Sequence, residues 1–198
     1  MGAGACGDRL PHFLKGFSMS RTKVKTINSE NETLFEIVID TREQTPWKFE
    51  GIRADKKDGF AIIRVNTCRG TLKSGDYSLK GYENIISIER KSLADLYGTI
   101  GQGRERFEAE LERLGKNYYF AAVIVESAFD RALTDPPRHS NLNPKTVFRS
   151  IVAWQARYPR IQWIFPGNSR RDAEVYAFRL LEKIWIEIQR NSEKGTDY

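Results

Sequence analysis

The run from Tyr118 to Val125 is almost unbroken in apolar side chains: Tyr-Tyr-Phe-Ala-Ala-Val-Ile-Val. A strand sends successive side chains to opposite faces, so a continuously apolar strand has to be covered on both. The flanking sequence supplies helices to do so. Arg104 to Leu114 reads as one helix. Asn143-Pro144 reads as an N-cap with proline in the first turn, opening a second helix that runs to Tyr158. Ser169 with Asp172 is a capping box, and Ala177, Leu180, Leu181, Ile184, Trp185 and Ile188 then recur at helical spacing. A short helix near Phe129–Leu133 and a strand at Ile161–Phe165, stopped by Pro166-Gly167, fall between them. Upstream, Leu34–Asp40 and Phe60–Cys68 read as strands. The chain is therefore α/β: strands first, then helices alternating with strands.

The chemistry concentrates between these halves. Tyr77–Lys80 and Asn84–Glu89 read as short strands around the turn residues Gly81 and Asn84. In such a hairpin Asp76 begins one strand where Glu89 ends the other, so the two carboxylates converge. Glu89 and Lys91 are two apart and share a face, while Arg90 points the other way. Two hard oxygen donors beside one ammonium suit Mg²⁺, with Mn²⁺ as a substitute, and a phosphodiester. Each residue has a plainer reading: Gly-Asp is a common turn pair, Glu89 a solvated strand end, Lys91 a surface lysine. It is the combination at this spacing that points to chemistry.

Gly75-Asp76 followed by Glu89-Arg90-Lys91-x-x-x-Asp95 resembles the signature of the XPF-type endonucleases, the xeroderma pigmentosum group F family. Val38-Ile39-Asp40-Thr41-Arg42-Glu43 resembles the family's first strand, and Leu72-Lys73-Ser74-Gly75-Asp76-Tyr77 its Gly-Asp-Tyr turn. Ser92-Leu93-Ala94-Asp95-Leu96 and Gly103-Arg104 resemble its next helix start and Gly-Arg pair. Ala122–Glu126 resembles its next core strand. The resemblance runs from about residue 34 to about residue 189. It implies a restriction-endonuclease-like fold, a mixed central sheet flanked by helices, and Mg²⁺-dependent cleavage of branched or flapped DNA in repair or recombination. It also implies roles. Asp76 and Glu89 hold the metal, with the Arg90 carbonyl as a third ligand and Asp40 close by. Lys91 orients water and offsets charge on the phosphate. Arg90 pairs with Asp95 or Glu43, or contacts DNA. Asp95 either caps a helix opened by Ser92 or joins the catalytic set.

DNA contacts are expected from Arg42, from Arg104, from Arg138 in the loop at 136–141, and from Lys145 and Arg149 on the following helix. Solvated pairing is the alternative for Arg104, whose helix mixes both signs of charge. Glu110 and its neighbours depart from the family's Gln-containing pattern. Glu43 is the weaker acid of the first motif. Trp154, Trp163 and Trp185 read as core, with the last helix also suited to a homodimer or partner-subunit contact. A scaffold on a degenerate nuclease fold is disfavoured by the retained acids, and a restriction- or resolvase-type nuclease by the Leu72–Tyr77 and Asp40–Glu43 matches.

The chain has 198 residues and a net charge of +6. Half of that charge sits in residues 1–31, where Arg9, Lys15, Arg21, Lys23 and Lys25 face Asp8 and Glu30. DNA affinity in the remainder must then come from local patches. Residues 1–31 read as a disordered basic segment, 32–191 as the nuclease domain and 192–198 as a polar tail, with no room for a helix-hairpin-helix module. Cys6 and Cys68 lack metal-ligand spacing and suggest a reducing, intracellular setting, cytoplasmic or nucleoid-associated, or nuclear in a eukaryote. No apolar run is long enough to span a membrane.

Overall fold

The computed structural model describes residues 23–55 and 59–192. A mixed seven-stranded sheet forms the centre. Its strands are β1 (Glu32–Asp40), β2 (Ile52–Arg53), β3 (Ile62–Gly70), β4 (Tyr77–Leu79), β5 (Ile86–Lys91), β6 (Phe120–Val125) and β7 (Ile161–Ile164), in the order β2-β3-β1-β4-β5-β6-β7. β4 runs antiparallel to both β1 and β5, whereas β1–β3, β5–β6 and β6–β7 are parallel. Parallel neighbours require crossovers; between β1 and β3 the connection carries only β2, and helices provide the other two. α1 (Leu93–Gly101) and α2 (Arg104–Asn117) link β5 to β6, and α3 (Phe129–Thr134) and α4 (Pro144–Arg157) link β6 to β7.

Strand alternation divides the interior in two. Phe35, Ile37, Ile39, Tyr77, Leu79, Ile86, Ile88, Ala122 and Ile124 line one face, against α5 (Arg170–Ser192). Ala121, Val123 and Val125 line the other, against Leu96, Phe107, Leu111, Val147, Ile151 and Trp154 of α1, α2 and α4. The apolar stripe of α5 is spent on the sheet: Ala177, Phe178, Leu181 and Ile188 are buried, with Leu180, Ile184 and Trp185 packed beside them. That stripe is core rather than a surface for a second subunit.

Local signals set the helix starts as expected. The Asn143 side chain accepts from the Lys145 N–H at 2.9 Å. Ser169 and Asp172 cap reciprocally, at 3.0 and 3.1 Å. One strand boundary moves: Gly59 and Phe60 both have positive φ, so β3 starts at Ile62 rather than Phe60. The pairing of β2 with β3, two residues long, left no pattern in the sequence.

The basic segment read over 1–31 lies outside the described residues up to 22, and its last part is ordered. Ile27 bridges Thr33, the Asn28 side chain accepts from the Glu30 and Glu32 N–H groups, and Thr26 donates to buried Glu182 at 3.0 Å. A turn of this kind is part of the domain. A chain starting at Lys23 should match the full chain in urea midpoint. One starting at Glu30 should fold but lose about 1–2 kcal/mol, from one side-chain hydrogen bond and the Ile27 packing.

Candidate active site

The site is built on the β4–β5 antiparallel pair. Gly75 precedes β4 with φ +78°, and a Cβ there would lie 2.1 Å from Ser87 Oγ and 3.1 Å from the Ile88 carbonyl oxygen. Only glycine fits this approach, which lets the Asp76 N–H donate to the Ile88 carbonyl at 2.8 Å. The Asp76 carboxylate then accepts from the Arg90 N–H at 2.8 Å, so its position is fixed from β5 itself.

Along β5 the alternation is strict. Glu89 and Lys91 turn to the α2 side, with Lys91 Nζ 2.9 Å from Glu89 Oε1 and 4.4 Å from the centre of the Phe107 ring. Arg90 turns to the α5 side, where it meets Glu43 at 3.3 Å and Glu126 at 3.1 Å. Glu126 also accepts from Trp47 Nε1 at 2.9 Å and from Arg170 at 2.8 Å. Four segments of the chain are thus tied through one buried carboxylate at the end of β6. Of the alternatives read for Arg90 the structure shows the pairing with Glu43, and with its guanidinium held in these pairs on the far side of β5 it is a positioning residue rather than a member of the catalytic set.

The electrostatics single out two acids. Burial pushes the Glu89 carboxyl up to about 8, the neighbouring Asp76 adds to the rise, and Lys91 offsets part of it. Burial likewise lifts Asp76 to about 6, against the opposing pull of the Arg90 N–H. Burial would lower Lys91, but Glu89, Glu110 and Asp76 together hold its ammonium above the ordinary lysine value. Two neighbouring carboxylates raised by burial, Glu89 further by Asp76, are what a bound divalent cation would relieve. The donor set, hard oxygens without thiolate or imidazole, fits Mg²⁺ or Mn²⁺.

Asp40 differs from its expected role near a metal. Both its oxygens are occupied, by the Arg42 N–H at 2.8 Å, Arg42 Nε at 2.7 Å, Arg42 Nη2 at 3.1 Å and the Leu72 N–H at 2.7 Å. Burial acts to raise its carboxyl, but these bonds outweigh it and the net shift is downward. Asp40 therefore orients Arg42 and closes the turn before β4, and has little left for a cation. Glu43 holds Arg90 and the Thr45 N–H.

A family model of the ERCC4 domain matches residues 39–175. The chain belongs to the ERCC4 domain family. Among solved structures it is similar to the XPF from Aeropyrum pernix, at 18% identity and TM-score 0.55, over 80% of this chain and 69% of that one. It is similar to the same protein in complex with DNA at 19% identity and TM-score 0.55, over 77% and 66%. The chain thus spans about two thirds of the length of those proteins, and at this identity the likeness shows the fold: a mixed sheet flanked by helices. No curated protein matches.

Asp95 completes the expected cap, with its N–H 3.0 Å from Ser92 Oγ, which donates back to its carboxylate at 2.6 Å. It lines a groove of about 850 Å³ with Thr45, Lys48, Arg90, Arg170 and Glu174, a groove that Asp76, Glu89 and Lys91 do not line. Arg104 is partly exposed and already engaged, as its solvated-pairing alternative expected: it pairs with Glu108 at 3.0 Å, donates to Ser150 at 2.8 Å and covers the Trp154 ring. Arg42 is two-thirds exposed, while Arg138, Lys145 and Arg149 are exposed and form no ion pair among the described residues. Among those residues no helix is long and apolar enough to cross a membrane. Sequence reasoning missed the role of Glu126, whose signal was an acid directly after an unbroken apolar strand.

Two outcomes follow from this geometry. Gly75→Ala forces an L-residue into positive φ against backbone, and should lower stability by about 2–4 kcal/mol in urea unfolding. Glu89 and Asp76 titrate higher folded than unfolded, so the native state binds more protons between the unfolded carboxyl range and about pH 8. With chelator present, stability should therefore fall as pH rises from about 5 to 8. Asp40 and Glu43, held low, act in the opposite sense and only in more acid solution. Urea midpoints at four pH values check the slope, which Glu89→Gln should flatten.

Proposed function

We propose that this ERCC4-family chain is a metal-dependent, structure-specific DNA endonuclease that hydrolyses backbone phosphodiesters of branched or flapped DNA, in repair or recombination. The observation that carries the reading is the gathering of Asp76, Glu89 and Lys91 on one face at the end of β5, with both carboxylates raised by burial and Glu89 further by Asp76. Family membership and the fold shared with a protein solved in complex with DNA support it.

In this reading Asp76 and Glu89 hold Mg²⁺, together with the Arg90 carbonyl. When bound, the ion supplies charge stabilisation at the phosphoryl oxygens and a more acidic water. Lys91, pressed between Glu89 and the Phe107 ring, keeps its proton and faces the charge that builds on the phosphate. Arg42, steadied by Asp40, contacts a neighbouring phosphate. Arg138, Lys145 and Arg149 are free to follow the backbone beyond it. Phe129, Phe148 and Val152 leave an apolar surface on α3 and α4 that suits a second copy or a partner subunit.

Single-turnover cleavage of flap, fork, splayed-arm and four-way-junction substrates is the test, with gel-shift titration in Ca²⁺ alongside. Glu89→Gln keeps the size of the side chain but removes a ligand charge. It should slow cleavage by ~100-fold or more, at roughly 1.4 kcal/mol per tenfold, while DNA binding persists. Arg149→Ala should leave the single-turnover rate intact and lower the salt dependence of binding by about one counterion. Undiminished cutting in excess chelator, or a folded Glu89→Gln protein that cuts at the wild-type rate, would sink the reading.

A further inference from the structure

Helix α2 carries three glutamates beyond its first turn, Glu108, Glu110 and Glu112. Glu108 pairs with Arg104 and Arg157 and accepts from Trp154 Nε1, and Glu112 pairs with Lys116. Glu110 is half-buried and has neither a hydrogen bond nor an ion pair among the described residues.

The helix register says where Glu110 points. Phe107, one turn before it, lies against Lys91 with 4.4 Å from Nζ to the ring centre. Arg113, almost one turn after it, has Nε 3.4 Å from Ser74 Oγ, two residues before Asp76. Residues three apart on a helix are neighbours on one face, so Glu110 stands between these two contacts, opposite the Asp76–Glu89 pair. That placement puts its carboxylate within electrostatic reach of Asp76, Glu89 and Lys91 and, past the end of β1, of Arg42.

A third acid facing two buried ones is repulsive, and nothing else in the fold uses it. Among the described residues no group of three acids, histidines or cysteines is placed to ligate one ion directly. Mg²⁺, however, takes few protein carboxylates and keeps several waters. We propose that Glu110 is an outer carboxylate of the cation site, accepting hydrogen bonds from water held between α2 and the ion, and so a positioning residue that strengthens cation binding. This rests on the nuclease reading above.

The test is a calorimetric titration of the DNA-free full chain with Mn²⁺, beside thermal unfolding in chelator. Glu110→Gln should weaken Mn²⁺ binding 10- to 100-fold, the usual loss when a partner just beyond the ligands is removed. In chelator its melting temperature should equal or exceed that of the wild type, because a like charge has gone; a merely structural residue would lower it. Glu110→Asp keeps the charge on a shorter arm, and its affinity should fall between the two. Glu112→Gln, on the exposed side of the same helix, should bind as the wild type does. Wild-type Mn²⁺ affinity in folded Glu110→Gln, or in Glu110→Asp were the Gln variant not to fold, overturns the proposal and leaves the nuclease reading standing. No Mn²⁺ binding by the wild type overturns both.

Discussion

The pairing of Arg90 with Glu43 and Glu126 is the interaction on which the site depends. It anchors the middle residue of a three-residue segment to the α5 side of the sheet, and strand geometry then has no choice but to deliver Glu89 and Lys91 to the other side. The same segment's backbone receives Asp76 through the Arg90 N–H. One residue therefore fixes both carboxylates, one by alternation and one by hydrogen bond. The side chains of Arg90, Glu43 and Glu126 are each no more than 9% exposed, which makes the pairs sensitive to truncation: removing one member leaves the others poorly solvated and short of a partner.

Around this anchor the sheet order has a functional logic. β4 is the one strand that runs antiparallel to both neighbours, and it sits between two parallel blocks. A parallel strand reaches the same edge of the sheet only at its C-terminal end. β4 arrives there with its N-terminal end, bringing Asp76 to the edge where β1 ends at Asp40 and β5 ends at Lys91. The Gly75 turn is what allows that arrival to be close.

Much of this was legible because it is local. Ser92 with Asp95, Asn143 with Pro144 and Ser169 with Asp172 each signal a helix start within four residues, and each forms one. The shared face of Glu89 and Lys91 follows from a period of two. What was not legible depends on contacts distant in sequence. Besides three bonds from Arg42, Asp40 accepts one from the Leu72 N–H, 32 residues away, so its aptness as a ligand could not be judged from its place at a strand end. Arg104 is drawn inward by Ser150, and Glu126 gathers Trp47, Arg90 and Arg170, from three other elements or loops. Glu110 looked like one more charge on a mixed helix, because only the packing of α2 on β5 shows which of its acids faces inward.

The clasp of Arg42 by Asp40 has a thermodynamic side. Arginine has five N–H donors, and three are engaged here: Nε and one Nη2 hydrogen to Asp40, the other Nη2 hydrogen to the Leu72 carbonyl. Both Nη1 hydrogens remain, on a group that is 64% exposed. A free arginine side chain surrenders up to about 2 kcal/mol of rotamer entropy when it is immobilised by a ligand. Here folding has already immobilised it, so an anion arriving at Arg42 meets a fork whose torsions are set, and little of the binding enthalpy is cancelled by ordering the protein.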